Sequence, residues 1–168
     1  MPTRKTSAPH DHDAALRQHL LELLNGGHAH ADFETAVRGL SPALRGKRPR
    51  GAEHSPWELL EHLRIAQNDI LEFSSDPGHQ SPDWPSGYWP KTAEPPEAKA
   101  WDKSVRAFRR DLKAMCDLVQ NPKTDLYARI PHGSGQTVLR EALLMADHNA
   151  YHLGQLVLVR RLLGAWKS

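Results

Sequence analysis

A chain of 168 residues with 39% hydrophobic and 25% charged side chains has ordinary globular usage and the length of one domain, so neither disorder, nor a second full domain, nor a membrane protein is indicated. The formal charge is only +2 and the basic residues are scattered rather than gathered into tracts, which argues against nucleic acid as a partner. Eleven histidines stand against three tyrosines and three phenylalanines, and histidine is the commonest metal ligand and acid-base residue.

Residues 1–10 read as a loose tail, and 11–168 as a single domain. The first residues are basic with no apolar stretch behind them, so no secretory signal is expected and the cytoplasm is the expected compartment. A first helix follows from the cap-type aspartates Asp11 and Asp13, with Leu16, Leu20, Leu23 and Leu24 at helical spacing and Gly26-Gly27 as its stop. Between His28 and His54 the chain carries a short helix candidate, A-D-F-E-T-A-V-R-G-L, and then a linker rich in proline, glycine and arginine.

Ser55-Pro56-Trp57-Glu58 is a capping box with proline at the first helical position. It predicts a second long helix running through Leu59, Leu63, Ile70 and Phe73 to about Ser75, where S-S-D-P-G ends it. From Asp76 to Pro96 prolines interleave with Trp84, Tyr88 and Trp89, which excludes a helix or a central strand. A third helix carries Trp101, Val105, Phe108, Leu112, Met115 and Val119 on one stripe and ends before Pro122. After a second loop, Thr137 caps a last helix that runs to about Leu163, with Gly164 as its stop. Its apolar runs are cut by His152, Gln155 and Arg160, far short of the roughly 20 residues a membrane span needs.

Four amphipathic helices and no convincing strand pair can bury their stripes only against one another, which predicts an all-α four-helix bundle. The connections are much longer than the roughly 2–8 residues of a helical hairpin, so crossovers between parallel neighbours are expected. The lone Cys116, between Met115 and Leu118 in a helical pattern, reads as a reduced, buried thiol.

The chemistry concentrates in H-N-A-Y-H on the last helix, where His148 and His152 share one face at a spacing that suits a single metal ion. The stripe Met145, His148, His152, Gln155 and Val159 predicts that both rings face inward, with Leu144, Tyr151 and Leu158 widening the same buried flank. On the second helix Leu59, His62, Ile65 and Ala66 form the core face and bring in a third imidazole. A single inward histidine is ordinarily a core residue with one hydrogen bond, but two imidazoles side by side are costly to bury without a shared partner. Three neutral imidazoles leave coordination positions open, the pattern of a catalytic site. Zinc or nickel heads the candidates, and iron or cobalt would also fit nitrogen ligands. Glu58, Asp69 and Asp147, with Tyr151 and Gln155, are candidates to orient the rings or line a pocket, and no catalytic base is identified. Trp84, Tyr88 and Trp89 are candidates for a lid, or for a plug at the bundle end. His10, His12, His28, His30, His54, His79 and His132 fall in tails or loops, where solvated histidine is the default.

The segments A-D-H-N-A-Y-H-L-G-Q and S-P-W-E-L-L-E-H together resemble the DinB-like (YfiT-like) family of small helical-bundle metalloproteins, over about residues 12 to 166. The resemblance implies an up-down-down-up bundle, metal ligands at His62, His148 and His152, and a homodimer. It also implies an enzyme with a small-molecule substrate that transfers or activates a low-molecular-weight thiol. A metal-dependent hydrolase and a non-enzymatic, metal-stabilised stress-response module are the alternatives, and the tryptophan- and proline-rich loop 82–96 departs from simple relatives.

Overall fold

The computed structural model describes residues 12–166; the expected tail 1–10, with His10, and residues 11, 167 and 168 of the expected domain lie outside them. Among the described residues five α-helices form: α1 (His12–Asn25), the short α2 (Phe33–Val37), α3 (Pro56–Ser75), α4 (Ala100–Gln120) and α5 (Val138–Leu162). Short 3-10 turns at Pro42–Leu44 and Ser86–Tyr88 interrupt the two longer connections. Among the described residues no strand forms, and the one extended pairing is an isolated bridge between Arg129 and Thr137. No helix among them is long and apolar enough to cross a membrane.

Each long helix begins or ends where its local chemistry dictates. At the start of α3 the Ser55 hydroxyl accepts the Glu58 amide while the Glu58 carboxylate accepts the Ser55 amide at 2.8 Å, so both members of the capping box engage. Thr137 caps α5 in the same way through the Arg140 amide. Gly26, immediately after α1, has φ of 68°, which glycine adopts without a Cβ penalty.

Contacts between named residues give the direction of each helix. Leu59, Leu60 and Leu63, early in α3, pack with Leu153, Leu156 and Val159, late in α5, so these two run antiparallel. The same α3 leucines meet Trp101, Val105 and Phe108 early in α4, while Ile70 and Leu71 meet Met115 and Val119 late in it, so α3 and α4 run parallel. Arg17, early in α1, donates to the carbonyls of Val119 and Asn121 just at and beyond the end of α4, which makes α1 antiparallel to α4. The long helices therefore run up, down, down, up, as the resemblance implied, and the connection from α3 to α4, the one joining parallel neighbours, is the crossover this order requires.

Two apolar clusters fill the interior, one around Leu59, Leu60, Phe108 and Leu156 and the other around Ile70, Met115, Val119 and Met145. A polar layer separates them. Fully buried Gln67 donates to the Phe108 carbonyl at 2.7 Å and accepts from Asn149 at 2.9 Å, satisfying groups that would otherwise be costly to bury. His62, His148 and His152 lie on the same two helices. Buried Arg160 docks α2 by donating to the Ala36 carbonyl at 2.6 Å and holds the chain end through the Ala165 carbonyl.

Candidate metal centre

The capping box fixes where α3 begins, and His62 follows almost two turns in, on the face that carries Leu59 and Leu63. Because α5 is antiparallel, its middle turns pass this point, and His148 and His152 project toward it from one face. The result is a convergence of three Nε2 atoms. His62 Nε2 lies 3.0 Å from His152 Nε2 and 3.1 Å from His148 Nε2, and all three ligand atoms fall within 4.8 Å of one another.

The outer nitrogens decide what this convergence means. His62 Nδ1 lies 2.8 Å from the Tyr88 carbonyl, which can only accept, so the proton sits on Nδ1 and the lone pair on Nε2. His152 Nδ1 is 2.7 Å from Gln155 Oε1, which assigns its tautomer in the same sense. Two lone pairs thus face each other at 3.0 Å with a third ring beside them, and His148 Nδ1 is buried without a hydrogen-bond partner. One shared proton cannot satisfy three acceptors, whereas a cation bound at about 2.0–2.1 Å from each nitrogen would place them roughly 3 Å apart. The residues therefore fit a divalent metal ion, and the donor set does not select which one.

Electrostatics favours the same state. Burial first, then the neighbouring imidazoles, pushes His148 down to about 4. Burial likewise lowers His152 to about 4, against the Gln155 hydrogen bond, and lowers His62 against its bond to Tyr88. All three rings are neutral near pH 7, the form that ligates metal.

The other expected residues separate into distinct places. Gln155 orients His152. Glu58 does not reach the rings: its two oxygens are taken by the Ser55 amide and by the Arg48 guanidinium, because closing the capping box turns the carboxylate back toward the helix start. Asp69 acts at one remove, accepting from the Tyr88 hydroxyl at 2.7 Å and meeting His79 Nε2 at 2.8 Å, and so anchors the loop whose carbonyl holds His62. Asp147 is exposed on the outer face of α5. The expected burial of Tyr151 and Leu158 is corrected: they are 64% and 55% exposed. At 3.6 residues per turn both sit roughly 100–120° around the helix from His152, outside the inward stripe. Tyr151 still meets the His152 ring edge to face at 4.9 Å.

In the aromatic loop, Trp89 stacks on His62 with 3.9 Å between ring centroids and 2° between planes, covering one face of that ring. Tyr88 contributes its carbonyl and its anchored hydroxyl. Trp84 is 78% exposed, touches the Tyr88 ring, and covers nothing at the histidines. The Ser55 hydroxyl ties the far end of the loop to α3 through the Ala93 carbonyl.

Two histidines assigned to solvent by default are instead half-buried and engaged: His54 stacks on Trp89 at 4.0 Å, and His79 pairs with Asp69. The sequence carries a cue for His54, which immediately precedes the cap of α3, but none for His79. His132 bonds the Phe73 carbonyl, while His12, His28 and His30 are exposed.

A family model described as the DinB superfamily matches residues 27–156, a span that contains all three converging histidines. Searches of curated proteins and of solved structures found no match.

Proposed function

The chain belongs to the DinB superfamily, and on that premise we propose that it is a cytoplasmic, metal-dependent enzyme that activates a low-molecular-weight thiol and transfers it to an electrophile. The observation that carries this reading is the convergence of three neutral Nε2 atoms, with no cysteine, aspartate, glutamate or further histidine grouped with them among the described residues. A divalent ion held there would supply Lewis acidity, keeping a substrate thiol as thiolate at neutral pH.

The chain's own residues do the rest. Tyr88 and Gln155 fix two of the three rings so that their lone pairs point inward. Trp89 shields one face of His62 from water. The nucleophilic sulfur has to come from a co-substrate, because the single cysteine sits on α4 beside Asn25 in the other apolar cluster, where burial pushes its thiol pKa up. In the transfer a sulfur–carbon bond forms, the leaving group departs with its electron pair, and the thiol proton goes to solvent.

Elemental analysis should return one divalent ion per chain, lost in His148→Ala and His152→Ala. With cobalt at the site, added thiol should produce a sulfur-to-cobalt charge-transfer band, and consumption of thiol with a model electrophile should require metal. A protein that binds no metal, and whose histidine variants match wild type in stability, refutes the site. Metal binding without thiol coordination or consumption refutes the transferase.

A further inference from the structure

A cavity of about 500 Å³ opens beside the histidines, within the roughly 300–1,000 Å³ of small-molecule sites. Buried Leu59, Val159 and His152 form its inner end, while exposed Tyr151, Leu158 and Leu162 stand on the outer wall contributed by α5. Trp89, the ring that covers His62, is a further wall. The cavity thus borders one metal ligand directly and a second through its stacked tryptophan.

Its charge is as informative as its shape. No lysine or arginine lines it, and its one carboxylate is Glu53 at the rim. Away from a divalent ion held on the histidines, an anionic group would lose hydration without a cationic partner and would face that carboxylate. An uncharged apolar group would remove Tyr151, Leu158 and Leu162 from water and lie against aromatic faces. Gln155 and His54 are the polar groups positioned to orient such a ligand, Gln155 through the part of its amide that His152 does not use.

We propose that this cavity seats an uncharged aryl or alkyl portion of the electrophile, with Trp89 and Leu158 setting its specificity. The assignment to the electrophile rests on the thiol-transfer reading; the preference for uncharged, apolar ligands follows from the walls alone. The electrophile's reactive atom then lies at the His152 end, and the thiol approaches from the histidine side.

The test uses three isosteric probes, 2-naphthylmethanol, 2-naphthoate and 2-naphthylmethylammonium, titrated calorimetrically into the purified full-length protein with its metal content measured. In the metal-free His148→Ala protein, where no ion can hold a carboxylate, the neutral probe should bind, the carboxylate at least about tenfold more weakly, a difference of about 1.4 kcal/mol, and the ammonium no more tightly than the neutral probe. Leu158→Arg, at a position exposed enough to leave the fold intact, should reverse the order by weakening naphthylmethanol and admitting naphthoate, with metal content unchanged. Leu162→Arg repeats the test at a second exposed wall position. Naphthoate or the ammonium binding the metal-free His148→Ala protein more tightly than the alcohol, or arginine variants without effect, would overturn the proposal. So would a protein that binds no probe and forms a dimer split by Leu158→Arg, since the face would then be a subunit contact. His148→Ala separates the two readings, because His148 does not line the cavity: selective naphthylmethanol binding in a variant without metal upholds the cavity. The same selectivity in a wild type that never holds metal upholds it too, and removes only the catalytic centre.

Discussion

Replacing Gln155 by leucine should weaken metal binding by about tenfold, and the structure supplies the reasons for that figure. Gln155 Oε1 accepts from His152 Nδ1 at 2.7 Å, next to a ring that is only 9% exposed. Loss of a net hydrogen bond is worth about 0.5–1.5 kcal/mol, and stranding a buried donor about 1–3 kcal/mol. Each 1.4 kcal/mol is about a tenfold change in affinity, which places the leucine variant at the lower end of the roughly 10–100-fold losses typical when a ligand-orienting group is removed. Gln155→Glu should act in the opposite sense, since a carboxylate behind Nδ1 makes Nε2 more basic. Competition with a chromophoric chelator at neutral pH measures both, and circular dichroism checks that α5 is intact. A leucine variant with wild-type affinity, or a glutamate variant that binds more weakly than the leucine one, would refute the assignment of Gln155 as the group that orients His152.

Other residues give independent checks. Phe108 is 1% exposed and stacks on Phe33 at 3.8 Å, so Phe108→Ala should cost about 3–5 kcal/mol of stability in denaturant unfolding. Glu58 is held below its ordinary carboxyl pKa, with burial opposing and the Arg48 guanidinium and Ser55 amide prevailing. A depressed folded-state value stabilises the protein above the unfolded pKa of about 4.5 and is lost as pH falls through the folded one; unfolding midpoints should therefore drop in that acid range, less steeply in Glu58→Gln. Tyr88 is pushed up to about 12 by burial and then by Asp69. Asp69→Asn should move one tyrosine ionisation back toward 10 in an ultraviolet titration, and should weaken metal binding less than Gln155→Leu because Asp69 acts through Tyr88.

Much of this molecule is legible in its residues. The capping box at Ser55 and Glu58 and the breaker after Ser75 set the limits of α3, and Thr137 starts α5, because caps and breakers act within one turn and need no tertiary partner. The i,i+4 pair His148 and His152 was readable for the same reason, since helical geometry alone puts them on one face. His62 was readable as an inward residue of α3. Its meeting with the other two needed the antiparallel crossing of α3 and α5.

What only the tertiary structure decided are the contacts that long connections make when they fold back. The Tyr88 carbonyl that sets the His62 tautomer is a backbone group, which carries no sequence signal. The diversion of Glu58 to Arg48, the Asp69–His79 pair and the stack of Trp89 on His62 each join segments whose separation along the chain is bridged by irregular backbone. Periodicity specifies a helix face to within a turn, so it placed the three histidines that converge and misjudged Tyr151 and Leu158 at the margin of that face. Local sequence therefore determined the helices and the donor atoms, whereas the closing of loop 76–90 over α3 determined which way the His62 donor points and what covers that ring.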